Sequence, residues 1–209
     1  MYLPEIAIRL PPWVKPFLDG QPQIFPSRED RMRLTIELSN LNVRHASGGP
    51  FGAAVFDNGG RLVAPGMNLV VSSGCSLLHA ETAALAFAQK VLGRYDIGAG
   101  GRLLYELYAS TEPCAMCFGA IPWSGVSALL CGARSEDALA IGFDEGDKPA
   151  NWAASLEKRG IRVELDLLRP EAVAVLQGYV SSGGEIYNPR KSMPHTLPST
   201  KAERNSGGF

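Results

Sequence analysis

Two short segments of the sequence decide the fold: HAE at residues 79–81 and PCAMC at residues 113–117. The first opens an Ala-rich run without Gly or Pro that continues to residue 92, and such a run predicts a helix. The second predicts a short helix over residues 114–123, beginning just after a proline. A histidine and two cysteines therefore stand at the starts of two predicted helices.

These side chains are zinc ligands by type. Zinc prefers tetrahedral nitrogen and sulfur ligands, and a catalytic zinc keeps one position open for water. Cys114 and Cys117 are three positions apart at a helix start, so their side chains share one face, and the positive end of the helix favours thiolates. With the imidazole of His79 they supply three ligands. We therefore expect one zinc ion per chain on His79, Cys114 and Cys117.

Glu81 lies two residues after the expected histidine ligand. A carboxylate beside a metal can accept the proton of a metal-activated water and deliver it to a substrate, which is general acid–base catalysis. Taken alone, the Cys-x-x-Cys pair also fits a redox pair or half of a structural zinc site. The two motifs together, in this order, favour a catalytic zinc.

Outward from these segments, strands and helices are predicted to alternate. The expected strands cover residues 52–56, 61–64, 103–109, 127–131 and 161–166, and the turn at 57–60 predicts a hairpin. Helices are expected near residues 30–44, 135–140, 151–159 and 170–179, and residues 68–71 are expected to continue extended chain. This alternation predicts an α/β domain with helices on both faces of a central sheet.

Composition and charge indicate which kinds of partner this protein binds. The chain has 209 residues, of which 45% are hydrophobic, and its net charge is −1. The lack of a basic surplus favours a small substrate and argues against a nucleic-acid partner. The sequence contains no run of roughly 20 apolar residues and no leader in its first ten, so we expect no membrane association and a reducing, cytoplasmic setting. Cys131 lies in an apolar strand and is predicted to be a core residue; Cys75 has no comparable context.

We expect three parts in the chain. Residues 1–27 are rich in proline and predict an extended lead-in that packs on the body through Trp13 and Phe17. Residues 28–181 form the expected zinc-binding domain. Residues 182–209 form a C-terminal tail, whose last 15 or so residues are expected to be loosely held.

Over about residues 28–159 the chain resembles the cytidine/deoxycytidylate deaminase superfamily, whose signature is H-x-E followed by P-C-x-x-C. Within it the sequence is most similar to bacterial guanine deaminases. The strings that carry this resemblance are GGPFG at 48–52, GMN at 66–68, EPCAMCFGA at 112–120 and GFDE at 142–145. The resemblance implies a cytidine deaminase-like fold, a three-layer α-β-α sandwich with a central mixed five-stranded sheet.

The resemblance also implies an activity, the hydrolysis of guanine to xanthine and ammonia. Hydroxide on the zinc would attack C2, Glu81 would carry the protons, and Glu145 would assist. Asn68 would hydrogen-bond the purine, while the backbone at Ala80 would contact the edge of the base.

Two aromatic residues, Phe51 and Phe143, are implied as walls for the purine ring. The resemblance gives them this role because a planar base needs apolar surfaces beside it.

Alternatives stay open for three of the implied residues: Phe51 as plain core, Asn68 as a turn residue, and Glu145 as part of a solvated acidic loop. The substrate could instead be cytosine, cytidine, an aminotriazine such as ammeline, or adenosine in tRNA. A non-catalytic scaffold with a structural zinc is the alternative of another class. The resemblance further implies a homodimer, whose tail can close the site of the partner subunit.

Overall fold

The structure, a computed structural model, describes residues 7–188 and places five strands in one sheet. The strands are β1 (Gly52–Asp57), β2 (Leu62–Met67), β3 (Tyr105–Thr111), β4 (Ala128–Ala133) and β5 (Arg162–Glu164). Their order is β2-β1-β3-β4-β5; β1 is antiparallel to both of its neighbours, and β3, β4 and β5 are parallel. The mixed five-stranded sheet is therefore confirmed, and the carboxyl ends of β2, β3, β4 and β5 share one edge.

Helices cover both faces of this sheet. They are α1 (Val14–Asp19), α2 (Arg28–Arg44), α3 (Val70–Ser73), α4 (Ala80–Leu92), α5 (Ala115–Ser124), α6 (Ser135–Ala140), α7 (Trp152–Glu157) and α8 (Arg169–Ser181). Residues of α2 and α8 share one buried apolar cluster, and residues of α4, α5 and α7 share another. The three-layer arrangement predicted from the sequence is confirmed.

Strand side chains alternate between the two clusters, as the pleat of a strand requires. In β3, Tyr108 joins the cluster under α2, whereas Leu107 and its neighbour Ala109 join the cluster under α4. In β4, Cys131 lies in the second cluster and is fully buried. The prediction that Cys131 is a core residue is therefore correct, and the inner strand β4, buried along its whole length, is covered on both faces.

The lead-in is only partly extended, because residues 14–19 form helix α1. Pro16 lies in the first turn of α1, where a backbone N–H has no helical partner to lose. Trp13 and Phe17 pack against the core as predicted, and the Trp13 ring stacks on His45 with centroids 5.3 Å apart. The prediction of an extended lead-in is thus wrong for residues 14–19, whereas the prediction that Trp13 and Phe17 pack on the body is confirmed.

Residues 68–71 do not continue the strand. Strand β2 ends at Met67, and the chain then turns into α3, where the Asn68 side-chain oxygen accepts a hydrogen bond from the Val70 backbone N–H at 3.2 Å. An asparagine that accepts from the backbone two residues on favours a turn over an extended chain. The remaining elements lie within a few residues of their predicted bounds.

Helix α4 packs unusually closely on β2. A Cβ atom built on Gly66 would lie 2.2 Å from the carbonyl oxygen of Ala80, so a glycine is required at this contact. The close approach fixes the first turn of α4 against the end of β2. Among residues 7–188, no helix combines the length and the apolar character needed to cross a membrane.

Candidate active site

The predicted functional residues follow three strands that end at the same edge of the sheet. Asn68 follows β2, Cys114 follows β3, and the loop that carries Glu145 follows β4 by way of α6. Because these strands run in the same direction, their following loops meet. The topology therefore brings together residues that are far apart in the sequence.

His79, Cys114 and Cys117 form a group that could hold a metal ion, with their ligand atoms all within 4.8 Å of one another. The Cys114 Sγ and His79 Nδ1 atoms are 3.4 Å apart. Tetrahedral ligands at ordinary zinc distances would place sulfur and nitrogen about 3.6 Å apart. The donor set and its spacing therefore fit zinc, as predicted.

Two of the three ligands occupy the N-cap positions of helices. His79 precedes α4 and Cys114 precedes α5, both with extended backbone angles and neither with a side-chain capping hydrogen bond. Their side chains are consequently available to a metal ion. A hydrogen bond from Cys117 lowers the pKa of Cys114 to about 4, so this thiol readily becomes the thiolate that binds metal.

Two buried carboxyl groups, those of Glu81 and Glu145, lie beside the metal-ligand group. Burial raises the pKa of Glu81 to about 7 and that of Glu145 to about 8. Acid–base catalysts work best when their pKa lies near the operating pH. The solvated-loop interpretation of Glu145 is wrong, because Glu145 is buried whereas the acidic residues Asp144 and Asp147 are exposed.

A cavity of about 390 Å³ opens over the ligand group. Its size suits a small molecule. Seven of the nine residues predicted for the site line this cavity: Phe51, Asn68, His79, Glu81, Cys114, Phe143 and Glu145. Cys117 is fully buried, and the Ala80 side chain lies in the core under α4, so the predicted contact of the Ala80 backbone with a base stays a prediction.

Aromatic rings form the apolar wall of the cavity. The rings of Phe51 and Phe143 meet edge to face with centroids 4.9 Å apart, and Tyr187 meets Phe143 at 5.1 Å. Phe51 also packs against the core, so it is a core contact as well as a cavity residue, and its contact with a purine stays a prediction. An apolar aromatic wall of this kind suits a planar heterocycle.

Asn68 is held by its own backbone. Its N–H donates to the Phe51 carbonyl at 3.0 Å, and its carbonyl accepts from the Asn42 side-chain amide at 2.8 Å. Because the Asn68 side-chain oxygen caps the Val70 N–H, the amide nitrogen is the group left to donate into the cavity. Asn68 is therefore both a turn residue and a cavity residue.

Sequence reasoning missed the start of the C-terminal tail. Tyr187 and Asn188 line the cavity of their own chain, and the Asn188 side chain accepts from the Asp144 N–H at 2.9 Å and donates to the Gly142 carbonyl at 2.8 Å. No sequence signal marked these residues, because they follow a Ser/Gly-rich turn outside the recognised motifs. The prediction for the end of the tail concerns residues 189–209, which lie outside the described residues.

Comparison with known proteins agrees with this geometry. Residues 26–133 match the family described as the cytidine and deoxycytidylate deaminase zinc-binding region. The chain is 37% identical over 130 residues to the guanine deaminase of Bacillus subtilis (strain 168), and the match covers 59% of this chain and 80% of that relative.

Solved structures give a longer match. A guanine deaminase from Nitrosomonas europaea is 47% identical, with a TM-score of 0.80 over 85% of this chain and 97% of that chain. A chain solved in complex with 2,6-diaminopurine is 48% identical, with a TM-score of 0.80 over 88% of this chain and 97% of that chain. That protein was also crystallised with 8-azaguanine after substitution of an asparagine or a glutamate.

Proposed function

The chain belongs to the family of the cytidine and deoxycytidylate deaminase zinc-binding region, and we propose that it hydrolyses guanine to xanthine and ammonia. One observation carries this proposal: a His/Cys/Cys metal-ligand group and a buried glutamate share a cavity with aromatic walls. Similarity to guanine deaminases, at 37% and 47% identity, supports guanine as the base.

The cavity residues would bind and orient the base. Phe51 and Phe143 present apolar surface to the purine ring and exclude water from it. The Asn68 amide donates to the edge of the purine, and the Glu145 carboxyl faces the other polar positions of the ring. This orientation directs C2 and its exocyclic amine towards His79, Cys114 and Cys117.

Zinc bound to these three ligands supplies Lewis acidity, which makes water a nucleophile near neutral pH. Glu81 then handles the protons. It accepts one as water adds to C2 and donates it to the ring nitrogen beside C2. The proton of the new hydroxyl must next reach the amine, so that ammonia leaves as the C2 carbonyl forms. A carboxyl group with a pKa of about 7 suits both directions of transfer.

Glu145 would assist this second transfer and bind the ring nitrogens. Its burial beside Glu81 supports the role. The asparagine and glutamate substituted in the complexes with 8-azaguanine are separated along that chain by the same number of residues as Asn68 and Glu145 are here. Among relatives 46–47% identical, this equal spacing supports Asn68 and Glu145 as substrate contacts.

Ammonia release by the zinc-loaded protein tests the proposal. Guanine, cytosine, cytidine, adenine and ammeline would each be incubated with the wild type, with Glu81→Gln and with Glu157→Gln as an exposed glutamate control. We expect turnover of guanine, a loss of at least about 100-fold in Glu81→Gln with zinc retained, and no loss in the control.

The other outcomes of this experiment would contradict either the substrate or the role of Glu81. Turnover of a different base would refute guanine and keep the chemistry. If none of the five compounds released ammonia, adenosine in tRNA would be tested next. No ammonia release from tRNA either would favour a non-catalytic zinc protein. Full activity of Glu81→Gln would refute the proton-transfer role.

The arrangement of the whole chain is also proposed. We expect a homodimer, as the resemblance implies, and the expectation that the tail of residues 182–209 closes the partner's site stays a prediction. Light scattering after size exclusion would give twice the 22.4 kDa of one chain, and a mass of one chain would refute the dimer. The four unpaired cysteines support a reducing, cytoplasmic location, which stays a prediction.

A further inference from the structure

Lys148 is a buried cation at the back of the site. Its side chain is 8% exposed, and its Nζ donates to the Pro113 carbonyl and to the Ser135 Oγ, both at 2.6 Å. The same Nζ lies 3.9 Å from a carboxylate oxygen of Glu112 and 5.0 Å from the centre of the Trp152 ring. The ammonium group therefore joins the residue before Cys114 to the first residue of α6.

Ser135 continues this contact to the cavity. Because its oxygen accepts from Lys148, its hydroxyl hydrogen is free to donate elsewhere. The Ser135 Oγ lies 3.5 Å from Glu145 Oε2, at the long limit for a hydrogen bond, with the hydroxyl as donor. The backbone of Glu145 is fixed independently, since its carbonyl accepts from the Ala115 N–H at 2.8 Å. Ser135 therefore contacts the Glu145 side chain, whereas the Glu145 main chain has an anchor of its own.

We propose that Lys148 and Ser135 are positioning residues for the Glu145 carboxylate: the lysine orients the serine hydroxyl, and the hydroxyl holds Oε2 towards the substrate. This inference rests on the proposed function, in which Glu145 contacts the base. Neither residue lines the cavity, so neither touches the substrate. Their effect reaches the reaction through Glu145 alone.

A purely structural role of Lys148 predicts a different pattern of activity losses among the variants. If Lys148 only neutralised Glu112, then removing the Ser135 hydroxyl would leave the Lys148 contacts with Glu112 and Pro113 in place and would cost little. Replacing Lys148 by methionine leaves Glu112 without its nearest cation and can impair folding. Ser135→Ala is therefore the decisive variant, because it removes the hydroxyl that contacts Lys148 and Glu145 and leaves the Lys148 contacts with Glu112 and Pro113 in place.

The experiment measures kcat and KM for guanine in zinc-loaded wild type, Ser135→Ala, Lys148→Met, the double variant and the exposed control Lys158→Met. We expect kcat to fall about 10- to 100-fold in Ser135→Ala, with KM within about threefold and zinc content unchanged. The double variant should be no slower than the slower single variant, since both act through one carboxylate. Lys158→Met should match the wild type.

Two kinetic results would overturn the proposal: a wild-type kcat in Ser135→Ala, or losses that multiply in the double variant. If the wild type does not turn over guanine, the proposed function fails separately. Crystal structures of wild type and Ser135→Ala then decide the inference. A Glu145 carboxylate displaced by about 1 Å or more supports it, and an unmoved carboxylate refutes it.

Discussion

Gly66→Ala would test whether the contact between β2 and α4 sets both the stability and the metal affinity of the protein. The added methyl group would lie 2.2 Å from the Ala80 carbonyl oxygen and 2.5 Å from the Ala84 backbone nitrogen. Both neighbours are backbone atoms, so rotation of a side chain cannot relieve the overlap. The first turn of α4 would have to retreat by about 1 Å to restore ordinary contact distances.

The size of the effect follows from this retreat. Overpacking in a core costs about 1–3 kcal/mol, and a contact with rigid backbone belongs at the upper end. In a chain of this length, 3 kcal/mol corresponds to a fall of about 6–12 °C in Tm. His79 directly precedes the displaced turn. Since metal sites tolerate only about 0.2 Å of change, we also expect at least about tenfold weaker zinc binding.

Differential scanning calorimetry and zinc titration of the purified variant measure both effects. Gly119→Ala is the matched control, because Gly119 lies in α5 with no atom within 4 Å of an added Cβ. Alanine there should stabilise the protein by up to about 1 kcal/mol. If Gly66→Ala unfolds within about 2 °C of the wild type and binds zinc equally well, then the contact is not as rigid as the structure implies.

Three further predictions concern the metal, one ion pair and the substrate. Cys117→Ser should lose stoichiometric zinc and unfold at lower temperature, because metal binding is coupled to folding; metal analysis with a thermal melt would contradict this if both stayed at wild-type values. The hydrogen bond from Arg169 lowers the pKa of Asp137, so this pair stabilises the fold above the unfolded-state pKa of about 4, and the contribution is lost as the pH falls through the lower folded-state pKa. Asp137→Asn should therefore cost about 0.5–1 kcal/mol in urea unfolding at pH 7 and less at pH 3, where the carboxyl is partly protonated, and an equal cost at both pH values would refute the ion pair. Asn68→Ala should lower kcat/KM for guanine about tenfold or more through the lost amide contact while zinc content stays constant, and an unchanged kcat/KM would exclude that contact.

The sequence was sufficient for the layers of the fold and for the metal group. Apolar strands separated by Gly-rich turns predicted the sheet, and the spacing of Cys114 and Cys117 at a helix start predicted the ligands. Patterns of this kind involve residues that are close together in the sequence, so they can be recognised without the structure. The errors were local as well: α1 forms in spite of Pro16, and α3 begins directly after the turn in which the Asn68 side chain accepts from the Val70 N–H.

The rest of the site depends on distant parts of the chain and could not be predicted in this way. Tyr187 reaches the cavity only because the chain turns back after α8, and Lys148 is buried only because its loop packs under Glu112. Neither residue belongs to a periodic pattern that would indicate burial. Whether a polar residue in a loop is solvated or buried is decided by the tertiary packing of that loop.

The two N-cap positions held by His79 and Cys114 have a consequence for how this domain can change. Helices usually begin with a serine, threonine or aspartate whose side chain serves the helix alone. Here the residues at those positions are ligands for a metal ion, so one bound ion would join the beginnings of two helices that are not adjacent along the chain. A substitution at either position therefore changes both the stability of the fold and the catalytic activity. A better helix-capping residue at either position would remove a metal ligand and with it the activity.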